Sequence, residues 1–328
     1  RTSALSQVIF VCLLSTGFAV DRESISIKNT LDVKPSYMTK INHQHPSIET
    51  FKLLHSVTVD SGGNTNDEAR GIAVGPDGYV YVSGYVTSVG NGKDIWLAKY
   101  DENLDFIDSV IINGPVDGDD EGYTMAFDDQ GFLYLVGYMT EVGTYHSIWL
   151  GKFDLDLVFQ EDWTLNGSEY DSDDGYGILF DDISNRLYLA GTLHEENQGA
   201  NIFLAMFDTE LNLIDSFTMD GPVSDTDKAR FMAFDESRHL FVNGSMTQDV
   251  TDYDIWIGKF DENLTFIDDV VIAGPTTEED KGYGIVCDGS GSVFVTGTMI
   301  EPGEGYNIWM AAFDTDLNLE DSYTINGP

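Results

Sequence analysis

Cysteine is almost missing from this chain: there are two in 328 residues, Cys12 and Cys287. If Cys12 leaves with a leader peptide, no internal disulfide framework can form, and the core alone must hold the fold. Basic residues are scarce too, 16 against 57 acidic ones, for a net charge of −41. Such a field repels phosphate backbones and anionic lipid heads, which excludes nucleic acid and a membrane surface as partners. It favours cation binding, or life in high salt where screening tames the self-repulsion. No apolar run reaches the roughly 20 residues that a membrane-spanning helix needs. Catalytic signatures are also absent: there is no G-x-S-x-G, H-E-x-x-H, P-loop or C-x-x-C.

The longest apolar run, Val8–Leu14, lies in "SQVIFVCLLSTGFAV". Gly17 and Ala19 put small residues at −3 and −1 of a cut after Ala19. Residues 1–19 therefore read as a secretory signal peptide, and the protein is expected outside the cell or on its surface. Residues 20–50 carry Arg22, Lys28, Lys34 and Lys40, show no repeat, and read as a linker.

What is abundant is repetition. "DIWLAKYDENLDFIDSVIINGP" (94–115) returns as "DIWIGKFDENLTFIDDVVIAGP" (254–275). One aromatic column recurs at Trp96, Trp149, Phe203, Trp256 and Trp309, spaced 53, 54, 53 and 53. A glycine column, Gly84, Gly137, Gly191, Gly244 and Gly297, keeps the same spacing. Each unit holds four short strand-like runs, in the first unit 71–74, 79–84, 94–100 and 106–112, joined by Gly-, Asp- and Asn-rich turns. The second and third runs are apolar on both faces, so they are covered on both sides. The fourth alternates and often holds a threonine at its middle, as in Trp163-Thr164-Leu165, so it is half exposed. A four-stranded sheet sandwiched between neighbours and wetter at its last strand is a propeller blade. The expected fold is an all-β propeller of four-stranded antiparallel blades, with repeats 67–119, 120–172, 173–226, 227–279 and 280–328. A spare outer strand is expected at 51–60 within a propeller region 51–328. The fifth unit already has its own fourth strand, so the spare strand has no blade to complete. The chain is expected to be part of a longer six- or seven-bladed one.

"DEARGIAVGPDGYVYVSGYV" (67–86) and "DKGYGIVCDGSGSVFVTGTM" (280–299) resemble the bacterial SBBP-type β-propeller repeat. The resemblance runs over all five units. Thr124 and Phe231 depart from it where Gly71 stands in the first unit. It implies a secreted or cell-surface binding or scaffold role and carries over no catalytic residue.

Three sets of residues are candidates for chemistry. Arg70, Tyr123, Tyr176, Arg230 and Tyr283 form a column that opens each innermost strand and swaps charge for aromatic between units. A ligand lacks five-fold symmetry, so variation at a fixed place points to a binding site at the channel mouth; rim packing is the bland alternative. Asp67, Asp120, Asp173, Asp227 and Asp280 recur in every unit, as do Asp101, Asp154, Asp208, Asp261 and Asp314, which suits a repeated turn-capping job. Asp117, Asp119, Asp171 and Asp173 offer clustered carboxylates for Ca2+. The functional expectation is an exported, non-catalytic module that binds an extracellular protein or glycan. The alternative is a metal-dependent propeller hydrolase or lyase with its site in the channel. A third is a scaffold whose acidity is an adaptation to salt.

Overall fold

The structure, a computed structural model, describes residues 55–59, 66–87, 92–143, 145–167, 172–196, 199–249 and 252–326. The signal peptide, the linker and Asp171 lie outside them. The first blade comprises β1 (Glu68–Val74), β2 (Val80–Thr87), β3 (Lys93–Tyr100) and β4 (Phe106–Ile112). The second comprises β5 (Glu121–Phe127), β6 (Phe132–Met139), β7 (Ser147–Asp154) and β8 (Phe159–Leu165). The third comprises β9 (Asp174–Asp181), β10 (Arg186–Glu195), β11 (Gly199–Phe207) and β12 (Leu213–Met219). The fourth comprises β13 (Lys228–Phe234), β14 (Leu240–Asp249), β15 (Asp252–Phe260) and β16 (Phe266–Ile272). The fifth comprises β17 (Lys281–Cys287), β18 (Ser292–Ile300), β19 (Tyr306–Asp314) and β20 (Leu319–Ile325). Each is an antiparallel meander in sequence order. The described residues form an all-β propeller of five four-stranded blades. His55–Val59, the described part of the expected spare strand, is exposed and joins no sheet.

Consecutive inner strands adjoin: β1 with β5, β5 with β9, β9 with β13, and β13 with β17. Side chains bridge them. The Ser83 hydroxyl donates to the Tyr123 carbonyl at 2.8 Å, and the Thr124 hydroxyl to the Tyr176 carbonyl at 3.0 Å. Between blades lie four apolar layers, one per boundary. Four members of the aromatic column belong to them, with Trp149 and Trp256 fully buried and Phe203 and Trp309 nearly so, while Trp96 packs in a separate cluster made by the first blade alone. Burying a large apolar side chain contributes about 1.5–3 kcal/mol, so these layers hold neighbouring blades together. The outer edges are clamped as well. Lys99 Nζ and the Tyr81 hydroxyl both donate to the Leu155 carbonyl of the next blade, and Lys152 and Tyr134 do the same to the Thr209 carbonyl.

The two acidic columns are local fasteners. Asp101, Asp154, Asp208, Asp261 and Asp314 each accept from the backbone N–H two and four residues on, closing the outer hairpin. Those hairpins place Leu104, Leu157, Leu211, Leu264 and Leu317 at positive φ, a conformation that side-chain burial at the last four positions offsets. Asp120, Asp173, Asp227 and Asp280 are fully buried, and each staples the incoming linker to the end of its blade's second strand. Asp227 accepts from Gly221 N at 2.6 Å and Thr247 N at 2.7 Å; Asp120 accepts from Gly114 N and Thr140 N at the same distances.

Burial pushes the Asp120 and Asp227 carboxyls up to about 6, against the pull of those two donors, and raises Asp173 and Asp280 as well. A carboxyl whose folded pKa lies above its unfolded value lends stability at low pH and loses it as pH rises through the folded pKa. Asp181 runs the other way. Burial would raise it, but Arg238 holds it at about 2, so its contribution is lost only as pH falls through that value. The melting temperature is therefore expected to fall between pH 5 and pH 7.5, with a change of roughly 1–3 kcal/mol. Calorimetry in 0.5 M salt, which screens the net charge, checks this. A melting temperature that is flat or rises over that interval is the contrary result.

Candidate functional site

The Arg70 column is a row of β-bulges. In β1, Ala69 pairs with Gly84 and Gly71 with Ser83, leaving Arg70 as the extra residue. The same slip falls at Tyr176, Arg230 and Tyr283, and in β5 it widens to Tyr123 and Thr124, which together stand against Val136. A bulge leaves one residue without a cross-strand partner and re-aims its side chain. The glycine column explains why the bulge can form. A Cβ on Gly84, Gly137, Gly191, Gly244 or Gly297 would collide with the carbonyl oxygen of Glu68, Glu121, Asp174, Lys228 or Lys281 respectively. Only glycine lets the bulged backbone come that close.

The five re-aimed side chains meet one another across four blade boundaries. The Arg70 guanidinium lies 4.9 Å from the Tyr123 ring centre. Tyr123 packs edge-on to Tyr176 at 5.2 Å. Arg230 lies between Tyr176 and Tyr283, 4.9 and 5.2 Å from their centres. The order is cation, ring, ring, cation, ring, so the two guanidiniums are kept apart by aromatic faces that attract them. The sequence-derived set is thus brought together as one ladder.

A second column, two residues earlier, went unread in the sequence: Glu68, Glu121, Asp174, Lys228 and Lys281. It is acidic on the first three blades and basic on the last two. Glu121, 2% exposed, binds Arg70 at 2.8 Å and Lys93 at 2.5 Å. Asp174 contacts His146 at 3.2 Å and accepts from the Tyr176 hydroxyl at 2.8 Å. Burial would raise Asp174, but His146 and Tyr176 outweigh it and hold the carboxyl below its ordinary range. His146, just before β7, stacks on Tyr138 at 3.7 Å. Lys281 binds Glu279 at 2.5 Å. Among the described residues Lys228 donates to the Tyr176 hydroxyl alone, at 3.4 Å; burial and the neighbouring Arg230 push its ammonium down. Arg230 has a buried Nε without a hydrogen-bond partner, and among the described residues no carboxylate lies within ion-pair distance of it. Burial pushes the Tyr123 and Tyr176 phenols well above their ordinary value, helped by Asp174, so both remain neutral hydrogen-bond donors.

Of the four residues set aside for calcium, Asp171 lies outside the described residues. Asp117 and Asp119 are exposed in the linker between the first two blades, where Asp119 accepts from Lys93 N at 3.0 Å. Asp173 is buried and fastened to Gly167 N and His194 N. Among the described residues, no three His, Cys, Asp or Glu side chains gather where they could hold an ion.

No family model matches the chain, and no curated protein matches it in sequence. Its backbone is similar to that of the NanB sialidase from Streptococcus pneumoniae in complex with 2-[(3-chlorobenzyl)ammonio]ethanesulfonate. That match has a TM-score of 0.56 and 11% identity over 87% of this chain. A point mutant of the same sialidase gives a TM-score of 0.54 and 10% identity over 87% of this chain. The periplasmic gluconolactonase PpgL from Pseudomonas aeruginosa gives 0.46 and 9% over 78% of this chain and 85% of its own. This chain spans 65% of the sialidase chains it matches. At such identities the sialidase likeness shows the fold alone, and that fold is the β-propeller. Among the described residues no helix is long and apolar enough to cross a membrane.

Proposed function

We propose that the chain is an exported, non-catalytic propeller of the SBBP type that binds an extracellular glycan at the channel mouth. The observation that carries this reading is the ladder. Five bulges, one per blade, aim five side chains at one another, while the surrounding blades repeat their core residues. Bulges next to a site serve to re-aim side chains. Phenol hydroxyls, aromatic faces and paired charges suit a saccharide, which offers hydroxyls and C–H faces together. The end of each second strand lies beside the start of its blade's first strand, so the second-to-third connections leave from the same end of the blades as the ladder.

The test is a panel of polysaccharides and extracellular proteins, followed by hydrogen exchange on whichever is captured. Protection is expected at residues 67–71, 120–124, 173–177, 227–231 and 280–284 on binding a polysaccharide. Protection confined to the opposite end of the blades, or capture of proteins alone, would overturn the reading. Arg70→Ala is a poor probe here, because it strands the buried Glu121 carboxylate with one partner fewer and costs stability for that reason.

A further inference from the structure

We infer that Lys228 and Arg230 form an oxyanion subsite at the mouth, built for a single carboxylate or sulfate group on an otherwise neutral ligand. This rests on the channel-mouth reading above and names the chemistry within it.

Charge accounting around the ladder leads to it. Arg70 and Lys93 converge on Glu121 at 2.8 and 2.5 Å, and Lys281 is held by Glu279 at 2.5 Å. Each of those cations has its counter-ion. Lys228 and Arg230 sit two residues apart on β13 and form no ion pair among the described residues; Glu279, which acts on Lys228 from a distance, is already engaged by Lys281 and the Tyr306 hydroxyl. The stronger acidic influence on Lys228 is Asp174, whose oxygens are already engaged by His146 and the Tyr176 hydroxyl. Arg230 presents a buried Nε–H with no acceptor. A buried donor without a partner is rare in folded proteins and costs stability unless something fills the place. Two uncompensated cations side by side in a chain of net charge −41 are rarer still, because 57 carboxylates compete for them.

An oxyanion satisfies both groups at once. One oxygen accepts from the Arg230 guanidinium in the planar geometry that carboxylates and sulfates share, and another accepts from Lys228 Nζ. The Tyr176 and Tyr283 rings flanking Arg230 fix where the remainder of the ligand lies, against aromatic faces. The field of the whole chain sets the number of charges. A polyanion would be repelled by −41, whereas one anionic group at Lys228 and Arg230 is attracted over short range.

The experiment follows the Arg230 Nε–H resonance of the full chain by NMR, assigned by its loss in Arg230→Gln. Acetate, methyl sulfate and sodium chloride are titrated at constant ionic strength. Acetate or methyl sulfate is expected to give a saturating shift, and chloride a small linear one. Lys228→Met is expected to weaken the half-saturation at least fivefold without lowering the melting temperature, since it removes a buried charge that has no counter-ion. Saturation by acetate alone assigns a carboxylate, and by methyl sulfate alone a sulfate ester. A response no different from chloride, or a half-saturation unmoved by Lys228→Met, overturns the subsite. Such a result leaves the channel-mouth reading standing if the hydrogen-exchange footprint of a captured polysaccharide still covers the ladder.

Discussion

Gly244→Ala is expected to destabilise the protein by about 3 kcal/mol or more, the upper range for forcing extra volume into packed structure. The added Cβ would lie far inside contact distance of the Lys228 carbonyl oxygen, with the Lys228 carbonyl carbon and the Ala229 Cα close behind. All three are backbone atoms, so no side chain can swing away to relieve the clash. Relief requires straightening the bulge, which would pull Arg230 back into register with β14 and away from Tyr176 and Tyr283. Stability and site geometry should therefore fall together. The collision is deepest at Gly244 and shallowest at Gly191, so the same change at Gly191 should cost less. Gly305→Ala, where an added Cβ meets nothing within 4 Å, serves as the neutral control. Urea unfolding of the three variants measures the order. Equal stabilities for Gly244→Ala and Gly305→Ala would contradict the close-approach account.

The blade architecture was legible in the sequence because burial repeats. Ile95, Trp96 and Leu97 in series have no reading as a half-exposed strand, and their spacing recurs along the chain. Four of the five aromatics in the column lie in the buried layers between blades as that pattern demands; Trp96 lies in a cluster of the first blade alone. The Arg70 column was legible for the opposite reason: it varies where its neighbours do not. The fastening role of the two aspartate columns followed from their recurrence in every unit. What escaped was pairing across blades. Lys93 meets Glu121 over 28 residues, and Lys228 meets the Tyr176 hydroxyl over 52. No local pattern distinguishes a neutralised lysine from a bare one, because the partner belongs to another repeat. His146 escaped likewise. Its role depends on a ring, Tyr138, and a carboxylate, Asp174, supplied from two directions. The column of Glu68, Glu121, Asp174, Lys228 and Lys281 could have been found by the same comparison between units that exposed the Arg70 column. Its change of sign between the third and fourth units was the signal.

Covering the far face of the fifth blade is expected to raise stability by roughly 5 kcal/mol, taking about 1 kcal/mol for each of five half-exposed apolar side chains. Phe294, Ile308, Met310, Tyr323 and Ile325 are 41%, 57%, 39%, 63% and 51% exposed. Their counterparts in the first blade, Tyr81, Ile95, Leu97, Val110 and Ile112, pack against Leu133, Leu135 and Trp149 of the second. The fifth blade thus carries a surface made to the same plan as the covered ones. It differs in one respect: Phe294 and Ala312 stand where Tyr81 and Lys99 clamp the next blade, so a cover there would be held by apolar burial alone. The face that fits is the one Leu240, Val242, Trp256 and Phe260 present to the third blade. A chain extended after Pro328 by a copy of residues 223–275 should therefore resist urea more strongly than the parent. Ile308→Glu with Met310→Glu should abolish the gain while changing the parent by less than about 1 kcal/mol, as surface substitutions do. The equivalent pair in a covered face, Ile255→Glu with Ile257→Glu, should unfold the parent outright, because it buries two unpaired carboxylates. If the extended and parent chains unfold at the same urea concentration, the plan shared by these faces is not what holds neighbouring blades together.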